Sequence, residues 1–294
     1  MSDKFIIEVR LNEYEKRENP NVPWTVDEIV AAALACHRAG AAIIHFHART
    51  DTGRPDTGYE ANAEIVRRLS AECDVVIHPT LGAVAHKGNA AERLATVEQM
   101  VAEGLKVDLA PLDFVTTNID RFDEEAGAFR SQNKIYTNTV ETLTYFATRL
   151  REIGVRPYPV ACNVTAVRYM LAFYQAGLLD GPRFAQLMLS SGEHIFAHPG
   201  TPNGIRALTD FLPKDAPFAW NVYNTGGSAF TVLDYILESG GHLSAGLGDY
   251  PYVELGKPTN AQLVEKFVER ARAHGREPAT PAEARVIYGI TPRG

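Results

Sequence analysis

The sequence predicts an α/β protein built as a (β/α)8 TIM barrel, with residues 1–294 forming a single catalytic domain. Three observations carry this expectation. Strand-like apolar runs alternate with helical patterns from end to end. Eight such runs fall within about 250 residues, the usual size of this barrel. The runs are nearly continuous in apolar character, as strands covered on both faces must be. A doubly wound open sheet is the alternative. No glycine-rich phosphate loop follows the first run, which argues against it.

The first strand is FIIEVRL, residues 5–11. A helix follows VPWTVDE, with Thr25 as N-cap and Glu28 as its capping-box partner. Ile29, Val30, Ala33 and Leu34 form its apolar face, and Gly40 ends it. AAIIHFH (41–47) is the second strand. A helix near 59–70 leads to the third, DVVIHPT (74–80). Asn89 and Glu92 open the next helix and Gly104 closes it, before strand four, VDLAPLD (107–113). KIYTN (134–138) is a spare strand-like piece in the long excursion after strand four. An amphipathic helix over 139–153, ended by Gly154, precedes strand five, YPVACNV (158–164). A helix near 166–178 follows. Strand six is FAQLMLS (184–190), strand seven FAWNVYN (218–224) and strand eight LSAGLG (243–248), with helices in PNGIRALTDFL and AFTVLDYILES. Thr259 with Gln262 starts a long helix. Thr280, Pro281 and Glu283 start a final one.

The bulk properties narrow the function classes. The chain has 294 residues, 45% hydrophobic, and a formal net charge of −7. That acidity, with no basic run, argues against nucleic acid as a partner. No apolar stretch reaches the roughly 18 residues of a membrane span, and MSDKFIIEVRL lacks a secretory pattern. Cys36, Cys73 and Cys162 are scattered without CxxC spacing, so a reduced cytoplasmic protein is expected.

In such barrels the chemistry sits at the C-terminal strand ends. That rule selects Asn12, Glu13, His45, His47, His78, Thr80, Asp113, Asn163, Ser190, Ser191, Asn224 and Asp249. Alternation along a strand places His45, His47 and Arg49 on one face and Ile44 and Phe46 on the other. The two imidazoles would then point into the barrel mouth, close enough to share an ion. His78 and Thr80 share a face on the neighbouring strand. A structural role for a strand histidine is the ordinary alternative. Two on one buried face are costlier, since each must be satisfied away from water. His37, His86 and His274 lie in helix or loop contexts. His194 and His198 lie in the loop after strand six, at the active end, as substrate contacts or, more ordinarily, surface residues, and His242 lies at the wrong end of the barrel. GGSAF (226–230) could hold a phosphate at a helix start, or be a simple turn.

With these residues placed, the chain resembles the β-keto acid cleavage enzymes over almost its whole length. The resemblance rests on NPNVPWTVDEI, AGAAIIHFHAR, GGHLSAGLGDY, PTNAQLVEKFVERA and PATPAEARVIYGI. It implies a barrel holding a divalent metal, usually zinc. It implies exchange of an acyl group between a β-keto acid and acetyl-CoA, giving acetoacetate and a new acyl-CoA. The family's histidine ligands match His45 and His47, its strand-one glutamate Glu13, and its hydroxyl residue after strand three Thr80. Its strand-eight motif, His-Val-Arg-Val-Gly-Leu-Glu-Asp, reads HLSAGLGD here. Gly248 replaces the glutamate ligand and Ser244 the arginine that pairs with the catalytic aspartate. Asp249 is kept. His78 is the candidate third ligand.

The resemblance implies that Asp249 is the general base or its orienter, that Thr80 holds the carboxylate, and that Glu13 recognises a positive substrate group; Arg49, by alternation, and Asn224, by its strand-end place, are expected to contact substrate. Asp249 is expected to lack a charge partner. A homo-oligomer, a tetramer, is also implied. Two other classes compete: a metal-dependent barrel hydrolase or lyase, and a non-catalytic small-molecule binding barrel.

Overall fold

The computed structural model describes residues 3–13, 18–50, 52–81, 88–192 and 194–292. Eight parallel strands form the barrel wall: β1 Ile7–Arg10, β2 Ile43–Phe46, β3 Val76–Pro79, β4 Leu109–Asp113, β5 Arg156–Ala161, β6 Arg183–Ser190, β7 Phe218–Thr225 and β8 His242–Ala245. Their hydrogen-bonded order is β3-β2-β1-β8-β7-β6-β5-β4. The two ends of that order meet. The Asp108 N–H donates to the Ile77 carbonyl at 3.1 Å, and the Ile77 N–H donates to Asp108 Oδ2 at 2.8 Å. A side-chain carboxylate thus completes the seam where the ladder is thin.

The helices are α1 Val26–Ala39, α2 Tyr59–Glu72, α3 Ala90–Ala102, α4 Val140–Glu152, α5 Val164–Gln175, α6 Pro202–Thr209, α7 Phe230–Glu238, α8 Asn260–Ala273 and α9 Pro281–Tyr288. The capping boxes at Thr25/Glu28, Asn89/Glu92, Thr259/Gln262 and Thr280/Glu283 all form. Gly40 ends α1 at φ 117, a left-handed position where a Cβ would also stand 3.0 Å from Val268.

Alternation divides the core in two. Ile7, Val9, Ile44 and Phe46 face outward and pack with Ile29, Val30, Leu263 and Phe267 from the helices. Ile43, Leu109, Tyr158 and Phe184 face the barrel interior, where Ala284, Tyr288 and Ile290 plug the lower end. Tyr288 stacks on Phe184, with ring centroids 4.4 Å apart.

Several boundaries differ from the sequence expectation. Lys4–Phe5 leaves the barrel and pairs with Glu277–Pro278. β8 ends at Ala245, so Gly246–Asp249 is a turn, with the Asp249 N–H on the Gly246 carbonyl. The KIYTN piece forms Ile135–Tyr136, antiparallel to Thr117–Asn118. His86 lies outside the described residues. No helix among the described residues is long and apolar enough to cross a membrane.

Candidate active site

Register places Arg10, His45 and His78 side by side on β1, β2 and β3. His45 Nδ1 lies 2.9 Å from the His78 carbonyl oxygen, so Nδ1 carries the proton and donates it. Its Nε2 is left as a lone pair, 3.2 Å from His47 Nε2. Two nitrogens bound to one tetrahedral zinc, each at about 2.0–2.1 Å, would lie roughly 3.3 Å apart. Burial pushes the His45 pKa well below its ordinary value. It takes His47 down to about 4, against the pull of Glu13. Both rings are therefore neutral near pH 7, the form a metal needs. Asn12 fixes the chain here. Its Oδ1 accepts from the His47 N–H, and its Nδ2 donates to the His47 and Pro23 carbonyls, all at 2.9 Å.

Below this pair lies a buried polar cluster. His78 Nδ1 donates to Glu8 Oε1 at 2.6 Å. Its Nε2 is buried with no hydrogen-bond partner among the described residues. A carboxylate on one imidazole nitrogen with the other left open is the usual arrangement behind a metal-binding histidine. The second Glu8 oxygen accepts from Tyr158 Oη at 2.5 Å and Gln186 Nε2 at 3.0 Å. Asn221 joins Tyr158 to Tyr288 of α9. Burial raises the Glu8 pKa, but the hydrogen bonds from His78 and Tyr158 and the positive surroundings, Arg10 among them, outweigh it, and the net direction is down. Glu8, His45 and His78 offer ligand atoms within 4.8 Å of one another, a group able to hold a divalent metal. Glu8 is absent from the sequence-selected residues because it lies mid-strand rather than at a strand end. Its signal was an acidic residue on the same inward alternation as Arg10.

The mouth beside β1 and β8 corrects one expectation. Asp249 does have a charge partner, and it comes from β1. Arg10 Nε donates to Asp249 Oδ1 at 2.8 Å, and Arg10 Nη2 to Glu13 Oε2 at 2.6 Å. The Tyr223 ring lies 4.2 Å from the guanidinium carbon. Burial pushes the Asp249 pKa up to about 8. Arg10 opposes this and Glu13 adds to it. Asp249 Oδ2 is buried without a partner among the described residues. Ser244 is fully buried inside the wall, register-paired with Glu8. Gly248 presses on the end of β1, its N–H bonded to the Arg10 carbonyl at 2.9 Å.

The other expected residues divide by role. Thr80 is half-buried at the end of β3, its N–H on the Phe46 carbonyl. Asp113 accepts from the Tyr136 hydroxyl, so the excursion after β4 reaches the mouth. Arg49 donates to the Gly53 carbonyl at 3.0 Å, 5.8 Å from the Trp24 ring centre. Asn224 braces the loops after β6 and β7: Oδ1 accepts from Ser191 Oγ and Nδ2 donates to the Ser228 carbonyl. Asn163 caps α5 and Ser190 Oγ accepts from the Gly192 N–H. His242 Nδ1 accepts from the Ile6 N–H at the lower end, away from the mouth.

Residues 4–290 match the family described as beta-keto acid cleavage enzyme. The chain is 30% identical to 3-keto-5-aminohexanoate cleavage enzyme of Acetoanaerobium sticklandii, over 95% of each chain. It is 30% identical to 3,5-dioxohexanoate:acetyl-CoA acetone transferase of Paraburkholderia graminis, covering 92% of this chain and 90% of the relative. It is 26% identical to 3-oxoadipate:acetyl-CoA acetyltransferase of Cupriavidus necator, covering 94% and 90%. Among solved structures, apo ObcA superimposes with a TM-score of 0.69 at 16% identity, a likeness of fold. The alignment covers 92% of this chain and 66% of ObcA, so this chain spans just under two thirds of that protein.

Proposed function

The chain belongs to the family of β-keto acid cleavage enzymes, and from that footing we propose that it is a metal-dependent acyltransferase. It exchanges an acyl group between a β-keto acid and acetyl-CoA, giving acetoacetate and a new acyl-CoA. The observation that carries the reading is the convergence of His45 Nε2 and His47 Nε2 at 3.2 Å, with the His45 proton held on Nδ1 by the His78 carbonyl. These two would hold a divalent metal, zinc by its donor set, with His78 as third ligand. When bound, the metal supplies Lewis-acid polarisation and a template for substrate oxygens.

The chain's own groups do the rest. Thr80, at the end of β3, holds the substrate carboxylate. Asp249 Oδ2 takes the proton that must leave the carbon between ketone and carboxylate before a Claisen-type exchange. Glu13 faces the substrate with the oxygen that Arg10 does not hold. Arg49 and Asn224 shape the mouth through the loops they brace. The barrel is one catalytic domain. The three unpaired cysteines suit the cytoplasm. Exposed Phe129 and Ile135 on the excursion offer apolar surface for a homo-oligomer.

The test is incubation with acetyl-CoA and a panel of β-keto acids. Acetoacetate with a matching new acyl-CoA is expected from at least one member. Hydrolysis of the keto acid without acyl-CoA would replace this reading with a hydrolase. Elemental analysis should find about one metal per chain, and none after careful purification would remove the metal from the proposal.

A further inference from the structure

The guanidinium of Arg10 is 6% exposed and the Asp249 carboxylate 2%, so their contact is made away from water. Two carboxylates and an aromatic face surround Arg10, through Asp249, Glu13 and Tyr223. A planar fork held at both edges and on one face has little freedom to turn. Each carboxylate gives it one oxygen; of the other two, Asp249 Oδ2 is buried with no hydrogen-bond partner among the described residues, and Glu13 Oε1 is not bonded to Arg10. Gly248 belongs to the same construction. A Cβ there would stand 2.9 Å from the Arg10 carbonyl oxygen and 3.1 Å from the Glu13 nitrogen. Neither backbone atom can yield without moving the end of β1.

Building on the acyl-exchange reading, we infer that Arg10 is the positioning residue of this reaction, clamping Asp249 and Glu13 from β1 so that their free oxygens face the substrate together. Gly248 is the clearance that lets the end of β1 come this close to the turn after β8. Arg10 itself touches no reacting atom. A glutamate at 248 would therefore disturb the clamp rather than add a ligand.

The experiment uses the full chain and the variants R10Q, R10K, E13Q and G248E. The titratable groups acting on Asp249 are Arg10 and Glu8 of β1, Glu13 just after it, Tyr223 of β7 and Tyr252 after the turn that follows β8. R10Q is expected to lower kcat about 100-fold with the KM for acetyl-CoA within about threefold, the size of a general-base defect. The rising limb of its pH–rate profile should move up by about one unit, because a cation beside the carboxylate is lost. R10K should recover part of kcat by restoring charge without the fork. E13Q should move the limb down. G248E should lower kcat. Wild-type kcat and pH limb in R10Q would overturn the assignment, as would a gain of rate in G248E. Should R10Q not fold, wild-type kcat in R10K together with an unmoved limb in E13Q would overturn it equally. Carbon-13 NMR titration of the Asp249 carboxyl in the same proteins judges the clamp without turnover. A wild type that makes no acetoacetate while the R10Q and E13Q carboxyl titrations shift would defeat acyl exchange and leave the clamp standing.

Discussion

Asp249 sits against a guanidinium and still holds its proton to about pH 8, because lost hydration costs its carboxylate more than Arg10 returns. The ionised form is the one that accepts a proton, so turnover should climb as pH rises through about 8. A pH–rate profile checks this. Asp249→Asn should cut kcat by roughly 10²–10⁴-fold while leaving the KM for acetyl-CoA nearly unchanged. His47→Ala should take the metal from about one per chain to near zero by elemental analysis. His78→Ala should lower occupancy less steeply, and unchanged occupancy would remove it from the ligand set. The histidines were legible because strand alternation is local: residues two apart share a face whatever the rest of the chain does. Arg10 was not. Its partner lies 239 residues away, and only the closing of β8 onto β1 brings them together.

The turn after β8 shows what an element can and cannot reveal in advance. Gly248 was legible as a missing ligand, but its reason was invisible, since that reason is the proximity of the Arg10 carbonyl. Gly248→Ala should cost about 1–3 kcal/mol through forced backbone movement, measured by urea unfolding. An unchanged midpoint would mean that β1 yields freely. Helix starts were read well for the opposite reason. A capping box closes within four residues, so Thr25 with Glu28 and Thr280 with Glu283 need no tertiary context. Strand ends were read less well. β1 stops at Arg10 and β8 at Ala245, because pairing partners, not apolar character, decide where a ladder stops.

At the scale of the molecule, the barrel depends on one weak seam and the helix that guards it. Arg285 of α9 donates to the Asp74 side chain and carbonyl and to the Val75 carbonyl, with its Nε 3.8 Å from Asp108 Oδ1. It therefore holds both strands of the β3–β4 closure from below. Arg285→Ala should destabilise the protein by about 3 kcal/mol, since it removes the buried hydrogen bonds to Asp74 and Val75 and the cation 3.8 Å from the Asp108 carboxylate. Thermal unfolding measures the loss, and an unshifted transition would refute it. The eightfold alternation was legible from composition and period. This clasp was not, because nothing local in Arg285 marks it as anything but a surface cation.

The plug formed by α9 also sets a timetable for synthesis. Residues 281–290 emerge after all eight strands, yet they supply the Tyr288 hydroxyl that Asn221 needs and the apolar floor beneath Tyr158 and Phe184. Without α9 in place, the lower end of the barrel would open Glu8, Tyr158 and Asn221 to water. Drying of the interior is therefore completed only when α9 packs, and peeling that helix away would wet the whole polar cluster at once.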